Sequence, residues 1–570
     1  MPDATTETPD RQRVLWTAMV LAVYLGEVAF RMYLVRDRAV PSIHADEEAY
    51  LVIARVLAGG SATASPAGVV VPGGYSMIIA PALAVTSSPV TAYRLALVIN
   101  ALVSALVVPL AFTALRRRRI GHAAALVIAG TTALLPPVVF YSQFALTETV
   151  LPSVVLAWLL CLHGLLVDGS VRVRARYGVG FGLAAGYAMS VHDRGTVLVV
   201  VSGAVLLTAL VRPRVPWPAG LAAGTALALG VLAAELLAAY LHRQFFYSPP
   251  SAVGQKALDG LLNTGLLGRN TGRMLGQIWY LVTSTWGTGG LGAVVCAATV
   301  ARRRATPADR IVSAALLIAV LLVAGAAAAA LPDDHRLDDN VYARYLSVFA
   351  PALFVVGVAA LYRLGRKALL RHAAAVFALV GLCGASVLLL AGSLLRTDNF
   401  VLWALPDSSF LAGDWHAFDL PRSTAAAIMV FSLCVGGALL GRRGVRCVVA
   451  FLAGFAVFAT TVITVEVSRP GHESLWVATG FPRAAGLHSG DRVAISTSLP
   501  WALRCEQTYQ IYRGRLWDVD FIRDRVPLTA NVAVLKAPPG VPAKASWPGH
   551  PRGWTVATAQ PAYGFVVWRR

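Results

Sequence analysis

Ala114-Leu115-Arg116-Arg117-Arg118-Arg119-Ile120-Gly121 carries four consecutive arginines between two apolar stretches, and its reading decides the fold. On either side the chain is apolar for helix-length runs, near 91–114 and 122–140. Basic clusters recur outward from it at Arg172/Arg174/Arg176, Arg212/Arg214, Arg302–Arg304, Arg363/Arg366/Lys367/Arg371 and Arg442/Arg443/Arg446. They occupy every second boundary between apolar runs. The intervening boundaries hold His44, Asp46, Glu47, His192, Asp193 and Arg194 instead. That alternation is the positive-inside pattern of a polytopic α-helical membrane protein.

The bulk composition agrees. Of 570 residues, 57% are hydrophobic and only 14% charged, with net charge +20 and mean hydropathy +0.65. A soluble domain of this length needs more polar surface. The basicity does not indicate a nucleic-acid partner, because the excess sits in short turns where it meets anionic lipid headgroups and sets topology. The six cysteines form no CxxC pair, and Cys505 alone lies in the polar tail. The first apolar stretch, from about Val14 to Phe30, has no small-residue cleavage site and reads as a membrane helix, not a signal peptide.

With about 20 residues needed per crossing, helices are expected near 14–35, 91–114, 122–140, 147–167, 177–190, 195–211, 217–240, 275–300, 309–331, 346–363, 370–392, 423–441 and 446–466. This gives thirteen crossings, with residues 1–13 a cytoplasmic tail, 14–466 the membrane domain and 467–570 a small external domain. The expected location is the plasma membrane, with the N-terminus cytoplasmic and the C-terminus outside. Segment 177–190 is short and glycine-rich, so it and 195–211 could form a re-entrant pair. Two external connections are long: 36–90, with a short apolar piece from Tyr75 to Val85 that suits an interfacial helix, and 241–274, a flexible glycine-rich loop after an aromatic patch. Alternating runs such as Arg492–Ser496 and Gly564–Trp568 predict strands in the tail domain.

The candidate chemistry lies in the connections that lack basic clusters. His44-Ala45-Asp46-Glu47-Glu48-Ala49-Tyr50 follows the first helix. A carboxylate there could deprotonate an acceptor hydroxyl; equally, Asp46 could cap an interfacial helix with Glu47 and Glu48 in its first turn. Glu148 opens the fourth helix and could position a substrate, join a metal site with the first-loop acids, or serve as a cap. His192-Asp193-Arg194 occupies a very short turn, where Arg194 offers a fork for phosphate and His192 a donor or proton carrier. The bland alternative is a solvated turn with an Asp–Arg pair. Arg273 and Arg344, with Lys256 and Arg269, could join a phosphate clamp, and Tyr342-Ala343-Arg344-Tyr345 re-enters the membrane edge. Asp333-Asp334-His335-Arg336 and Asp338-Asp339 contain metal-ligating types at no diagnostic spacing.

On Asp46-Glu47, Thr147-Glu148, His192-Asp193-Arg194 and Tyr342–Tyr345 together, residues 14–466 resemble the GT-C superfamily of polytopic glycosyltransferases. They look most like actinobacterial envelope enzymes and the protein-mannosyltransferase and lipid A aminoarabinose-transferase-like group. The resemblance implies a GT-C fold and direct, inverting transfer of a sugar from a polyprenyl-phosphate donor to an envelope glycan, lipid or protein. It makes Asp46 the general base with Glu47 as the neighbour able to exchange roles. It makes His192, Arg194, Arg273 and Arg344 the donor-phosphate groups, and His44, Tyr50, Glu148 and Tyr345 the substrate-positioning ones. It leaves a divalent cation open, since relatives differ on it, and an arginine-dominated actinobacterial composition suggests decaprenyl-phosphate arabinofuranose as donor. The chain departs from the pattern in one place: three acids run together where relatives often have one, which blurs which is the base. A ligase acting on a lipid-diphosphate glycan would need a similar external phosphate site. A transporter or flippase would instead place broken helices or acids near the midplane of paired halves.

Overall fold

The computed structural model describes residues 9–570 apart from 61–63, 168, 212–213, 246–247, 333–335, 343, 393–394, 396–399, 469–480, 489, 512–514 and 538–539. All thirteen expected segments are helical. Their starts carry local signals: Ser88 and Thr306 each accept a backbone N–H of the first turn, and Pro89 and Pro307 follow them where the missing N–H costs nothing. Among the described residues, seven helices are long and apolar enough to cross a membrane, by length and composition, or up to nine if each of two bent pairs is one crossing. The chain is thus a polytopic helical membrane protein with fewer long spans than the thirteen expected.

The difference lies in four segments. Leu151–Leu166 and Gly195–Val211 have only 16 and 17 residues. The segment near 346–363 begins as a turn of tighter helix, Ser347–Phe349, and continues as the 14-residue Ala350–Arg363. The segment near 177–190 is a full helix, Val171–Val191, but Arg172, Arg174 and Arg176 open it. Its glycines serve packing: a Cβ on Gly182 would meet the Ala223 carbonyl oxygen at 2.5 Å, and one on Gly186 would meet Gly230 Cα at 2.5 Å, so only bare backbone lets this helix lie against Trp217–Gln244.

The two bent pairs have identifiable causes. Pro136 and Pro137 follow Ala133 at a bend of 52°. Trp286 and Gly287 both take positive φ (51° and 75°) between helices that meet at 114°. A Cβ on Gly287 would strike the Phe431 ring at 2.6 Å. Inside the first span, Arg31 is satisfied by Glu27 at 2.6 Å, the Ala133 carbonyl at 2.7 Å and Ser104 at 3.3 Å, as an intramembrane charge must be.

Four of the basic clusters meet at one end of the bundle. Arg363 reaches the Arg118 carbonyl at 3.1 Å, Arg174 reaches the Arg214 carbonyl at 2.5 Å, and Arg117 donates to Tyr177 at 3.0 Å. Helix Val171–Val191 starts in that layer and ends at His192, so the polar candidates lie at the opposite end.

The long connections are ordered by helices. Residues 36–90 contain the loop helix Asp46–Leu57, buried from Glu47 to Val56, and the helix Gly74–Ala84. The connection 241–274 is not a flexible loop: the preceding helix runs to Gln244, Val253–Leu262 forms another, and the next begins at Leu267. Phe246 and Tyr247 of its aromatic patch lie outside the described residues.

The tail forms a five-stranded sheet in the order β2-β1-β3-β5-β4, from β1 Arg492–Ser496, β2 Arg515–Val519, β3 Val532–Lys536, β4 Thr555–Gln560 and β5 Phe565–Arg569. β1 pairs in parallel with β2 and β3, whereas β5 pairs antiparallel with β3 and β4. The domain helix Trp501–Gln510 provides the crossover between β1 and β2. Trp517, Trp547 and Trp554 are buried in one face of this domain with Trp568, so they form core rather than a sugar-binding platform. Trp501 remains exposed.

Candidate active site

The loop helix presents its acids in different directions, because consecutive helical residues point about 100° apart. Ala45, the residue before it, has φ 63°, a left-handed conformation that costs about 1–3 kcal/mol for a residue with a side chain. The N-cap position makes no side-chain cap bond, so Asp46 is not acting as a cap. Its carboxylate, 42% exposed, receives Arg344 Nη1 on Oδ2 at 2.6 Å.

Arg344 is buried and also forks onto Glu148, Nε to Oε1 at 3.1 Å and Nη2 to Oε2 at 3.3 Å. Glu148 sits in the short turn Thr147–Thr149, fully buried, and receives Arg194 Nη2 at 2.5 Å. Arg194 also donates to Thr147 Oγ1 at 3.1 Å. Asp46, Arg344, Glu148 and Arg194, drawn from four separate connections, therefore form one alternating chain of charges. The alternative of a simple Asp193–Arg194 turn pair is not what forms: Asp193 accepts from Ser251 at 2.8 Å.

Two nitrogens of Arg194, Nε and Nη1, are buried without a hydrogen-bond partner. Such donors are costly to leave unmet and mark a place for an acceptor. His192 lies beside them. Its Nδ1 accepts the Arg194 backbone N–H at 3.2 Å, which in the neutral ring leaves Nε2 carrying the proton. Burial and the Arg194 charge hold His192 well below the usual imidazole range, so it stays neutral near pH 7. Burial would raise the Glu148 carboxyl, but the Arg344 and Arg194 charges overcome this and hold it well below the usual carboxylate range.

Aromatic rings frame the cluster. Tyr345 lies 5.0 Å under the Arg194 guanidinium and 5.5 Å from the His192 ring. Trp403 lies 5.4 Å from Arg344. Tyr50 follows Asp46 by one turn, is buried, and has its hydroxyl within the fields of Asp46, Glu148, Arg344 and Arg194. Thr147 belongs to the Thr147-Glu148 motif, whereas Trp403 is a participant that local sequence does not single out. Only the short aromatic run around Trp403 in a polar connection could have flagged it.

Three expected participants are placed elsewhere. Glu47 is fully buried and accepts four hydrogen bonds, from Ser42 N (2.8 Å), Ile43 N (2.9 Å), Tyr93 OH (2.6 Å) and Ala145 N (2.8 Å). It pins the strained turn to the membrane domain and has no lone pair spare for exchanging roles with Asp46. Glu47→Gln is expected to turn an amide N–H toward donors, at about 1–3 kcal/mol for each buried group left unmet. It should lower the thermal midpoint in detergent while KM stays unchanged in the folded fraction; lost turnover at unchanged stability would restore a catalytic role. Arg273 hydrogen-bonds the Leu331 carbonyl at 3.0 Å and is not among the groups bound to Glu148 or Asp46. His44 faces away from this chain of charges, onto Glu48 at 2.7 Å.

Among the described residues, no group of three or more His, Cys, Asp or Glu side chains is arranged to hold a metal ion. Between Asp46 and Glu148 the carboxylates meet guanidinium groups, Arg344 on Asp46 Oδ2 and both Arg344 and Arg194 on Glu148. In the acidic connection, Arg336 pairs with Asp338 at 2.6 Å, and residues 333–335 lie outside the described residues.

No protein-family model matches the chain, and no curated protein matches it by sequence. Solved structures match it in fold. ArnT from Cupriavidus metallidurans, in the apo state and bound to undecaprenyl phosphate, aligns at 18% identity and TM-score 0.53, covering 98% of this chain and 98% of that one in both cases. The apo oligosaccharyltransferase of Archaeoglobus fulgidus aligns at 12% identity and TM-score 0.48, over 91% of this chain and 69% of its own. The likeness to ArnT extends from end to end, so the chain shares its overall fold, a polytopic helical membrane region followed here by a small β-containing domain.

Proposed function

We propose that the chain transfers a sugar from a polyprenyl-phosphate donor directly to a hydroxyl of an envelope glycan, lipid or protein, with inversion. Asp46 takes the acceptor proton as the acceptor oxygen bonds to the anomeric carbon. The bond from that carbon to the phosphate oxygen breaks, and polyprenyl phosphate leaves with the electron pair. Arg194 Nε and Nη1, with the Nε2–H of His192, meet the charge that develops on the phosphate. Glu148 holds Arg194 and Arg344 in register, and Arg344 orients Asp46 from the side away from the acceptor.

The observation that carries this reading is the pairing of opposite needs in one network. A part-exposed carboxylate, suited to a proton, is tied through Arg344 and Glu148 to a guanidinium with two unmet donors, suited to a phosphate. The fold shared with ArnT, which has been crystallised with undecaprenyl phosphate, supports a polyprenyl-phosphate lipid as the carrier. The arginine-rich composition makes decaprenyl-phosphate arabinofuranose the first donor to try.

The test is the purified chain with a panel of polyprenyl-phosphate sugars, read by product mass. Transfer of one sugar with release of polyprenyl phosphate is expected. Turnover of a lipid-diphosphate glycan alone would replace the reading with a ligase, and lipid movement without bond cleavage would replace it with a transporter. In the active protein, Arg194→Ala removes charged hydrogen bonds to the donor and is expected to raise donor KM about 10- to 100-fold with little effect on acceptor KM. An unchanged donor response would remove Arg194 from the phosphate site.

A further inference from the structure

The loop helix that begins at Asp46 is gripped at both ends by the tail domain. At its C-terminal end, Arg55 is 1% exposed, and its Nη1 donates to the carbonyls of Thr508 (3.3 Å), Tyr509 (3.1 Å) and Ile511 (2.7 Å). These carbonyls lie at the C-terminal end of the domain helix Trp501–Gln510 and its cap residue Ile511, where the helix dipole is negative. At the N-terminal end, His44 lies between two carboxylates. Its Nδ1 is 2.7 Å from Glu48 Oε1, and its Nε2 is 3.6 Å from Glu506 Oε1 on the same domain helix. Tyr509 OH adds a bond to the Pro89 carbonyl at 2.6 Å, fixing the domain helix to the start of a membrane helix.

We infer that the tail domain belongs to the catalytic unit, and that Arg55 and Glu506 are positioning residues that hold Asp46 in place by clamping the two ends of its helix. The inference rests on the proposed role of Asp46. Its physical reason is the left-handed Ala45, which lies between His44 and Asp46. A strained residue persists only where its surroundings over-determine it. Here Glu47 fixes the backbone at Ser42 and Ile43, while His44 is tied on one side to Glu48, a turn further on, and on the other to Glu506. Freeing the Glu506 or Arg55 contact lets the turn relax and swings the Asp46 carboxylate away from Arg344 and the acceptor.

The charged groups around His44 are Glu48, Glu506 and, further off, Glu47; those around Glu506 are His44 and Glu48; Glu48 also faces Glu47. Burial pushes Glu506 up to about 7, against the pull of His44. Below that pH it takes up a proton and loses its charge toward His44, so the clamp loosens on the acid side.

The experiment uses the full-length purified protein, comparing wild type with Arg55→Ala, Arg55→Lys and Glu506→Gln. In Arg55→Ala, misplacement of the base is expected to lower kcat about 10- to 100-fold with donor KM little changed. Arg55→Lys, which keeps a charge at the helix end, should restore much of the rate. Glu506→Gln should lower kcat and flatten the acid limb of its pH profile near pH 7. Amide hydrogen exchange over residues 44–57 should speed up in Arg55→Ala and Glu506→Gln, and less in Arg55→Lys. Should Arg55→Ala fail to fold, Glu506→Gln and Arg55→Lys still decide the matter. An active wild type whose folded variants keep its kcat, pH profile and exchange rates would overturn the clamp. A wild type that transfers no sugar would overturn the role of Asp46 instead, and the exchange comparison would then judge the clamp alone.

Discussion

Asp46→Asn is expected to cut sugar transfer about 100- to 10,000-fold, the range general-base catalysis contributes, while fold and donor affinity stay nearly unchanged. The amide has the shape of the carboxylate, and its oxygen can still accept Arg344 Nη1, so the bond recorded at 2.6 Å survives in kind. What disappears is the charge and basicity that take the acceptor proton. Asp46 makes no cap bond and is part-exposed, so little folding energy rests on it. Glu47, one residue on, has the opposite profile, with four accepted hydrogen bonds and no exposure. The pair of substitutions therefore separates chemistry from anchoring: kcat should fall in one, the thermal midpoint in the other. Asp46→Asn protein that binds donor and turns it over at the wild-type rate would move the base elsewhere.

That contrast marks how far the chain could be read in advance. The helices were legible because lipid demands long apolar runs, and the arginine clusters mark their ends. The number of long spans was not. Leu151–Leu166 and Gly195–Val211 are apolar but short, and hydropathy alone marks an apolar run without fixing where its helix stops. Asp46, Glu148, Arg194 and Arg344 each stood out as ionisable residues interrupting apolar sequence. Their joining into one network was invisible, because the bonded partners lie 46 (Glu148 and Arg194), 196 (Glu148 and Arg344) and 298 (Asp46 and Arg344) residues apart, beyond the reach of any local pattern. The acids of the first connection could not be told apart either. Glu47 owes its role to Tyr93 and Ala145, and Glu48 to His44 and the tail domain. Arg55 offered no signal at all: an arginine in an amphipathic helix reads as a solvated face until the carbonyl ends of a distant helix are found on it.

Glu148→Gln is expected to be the most damaging single change to the membrane domain. Among the described residues, Glu148 is the one group that bonds both the Arg344 and the Arg194 side chains, and it is buried. Neutralising it leaves two guanidinium charges in a low-dielectric site with Asp46 as their remaining counter-charge. Removing one partner of a buried ion pair costs about 3–5 kcal/mol. Activity should fall with stability, since Arg194 loses the bond that aims its free nitrogens and Arg344 loses the fork that orients Asp46. The pH dependence follows from the lowered carboxyl. A group depressed in the folded state contributes stability that is complete above its unfolded value, about 4.3 for Glu, and is lost only as pH falls through the folded one. The wild-type advantage over Glu148→Gln should therefore be constant through the neutral range and shrink only in strong acid. Glu148→Asp, which keeps the charge but shortens the reach, should recover part of the thermal midpoint and less of the rate. A Glu148→Gln protein as stable as wild type near pH 7 would mean that the two arginines do not depend on this carboxylate, and the charge network would lose its centre.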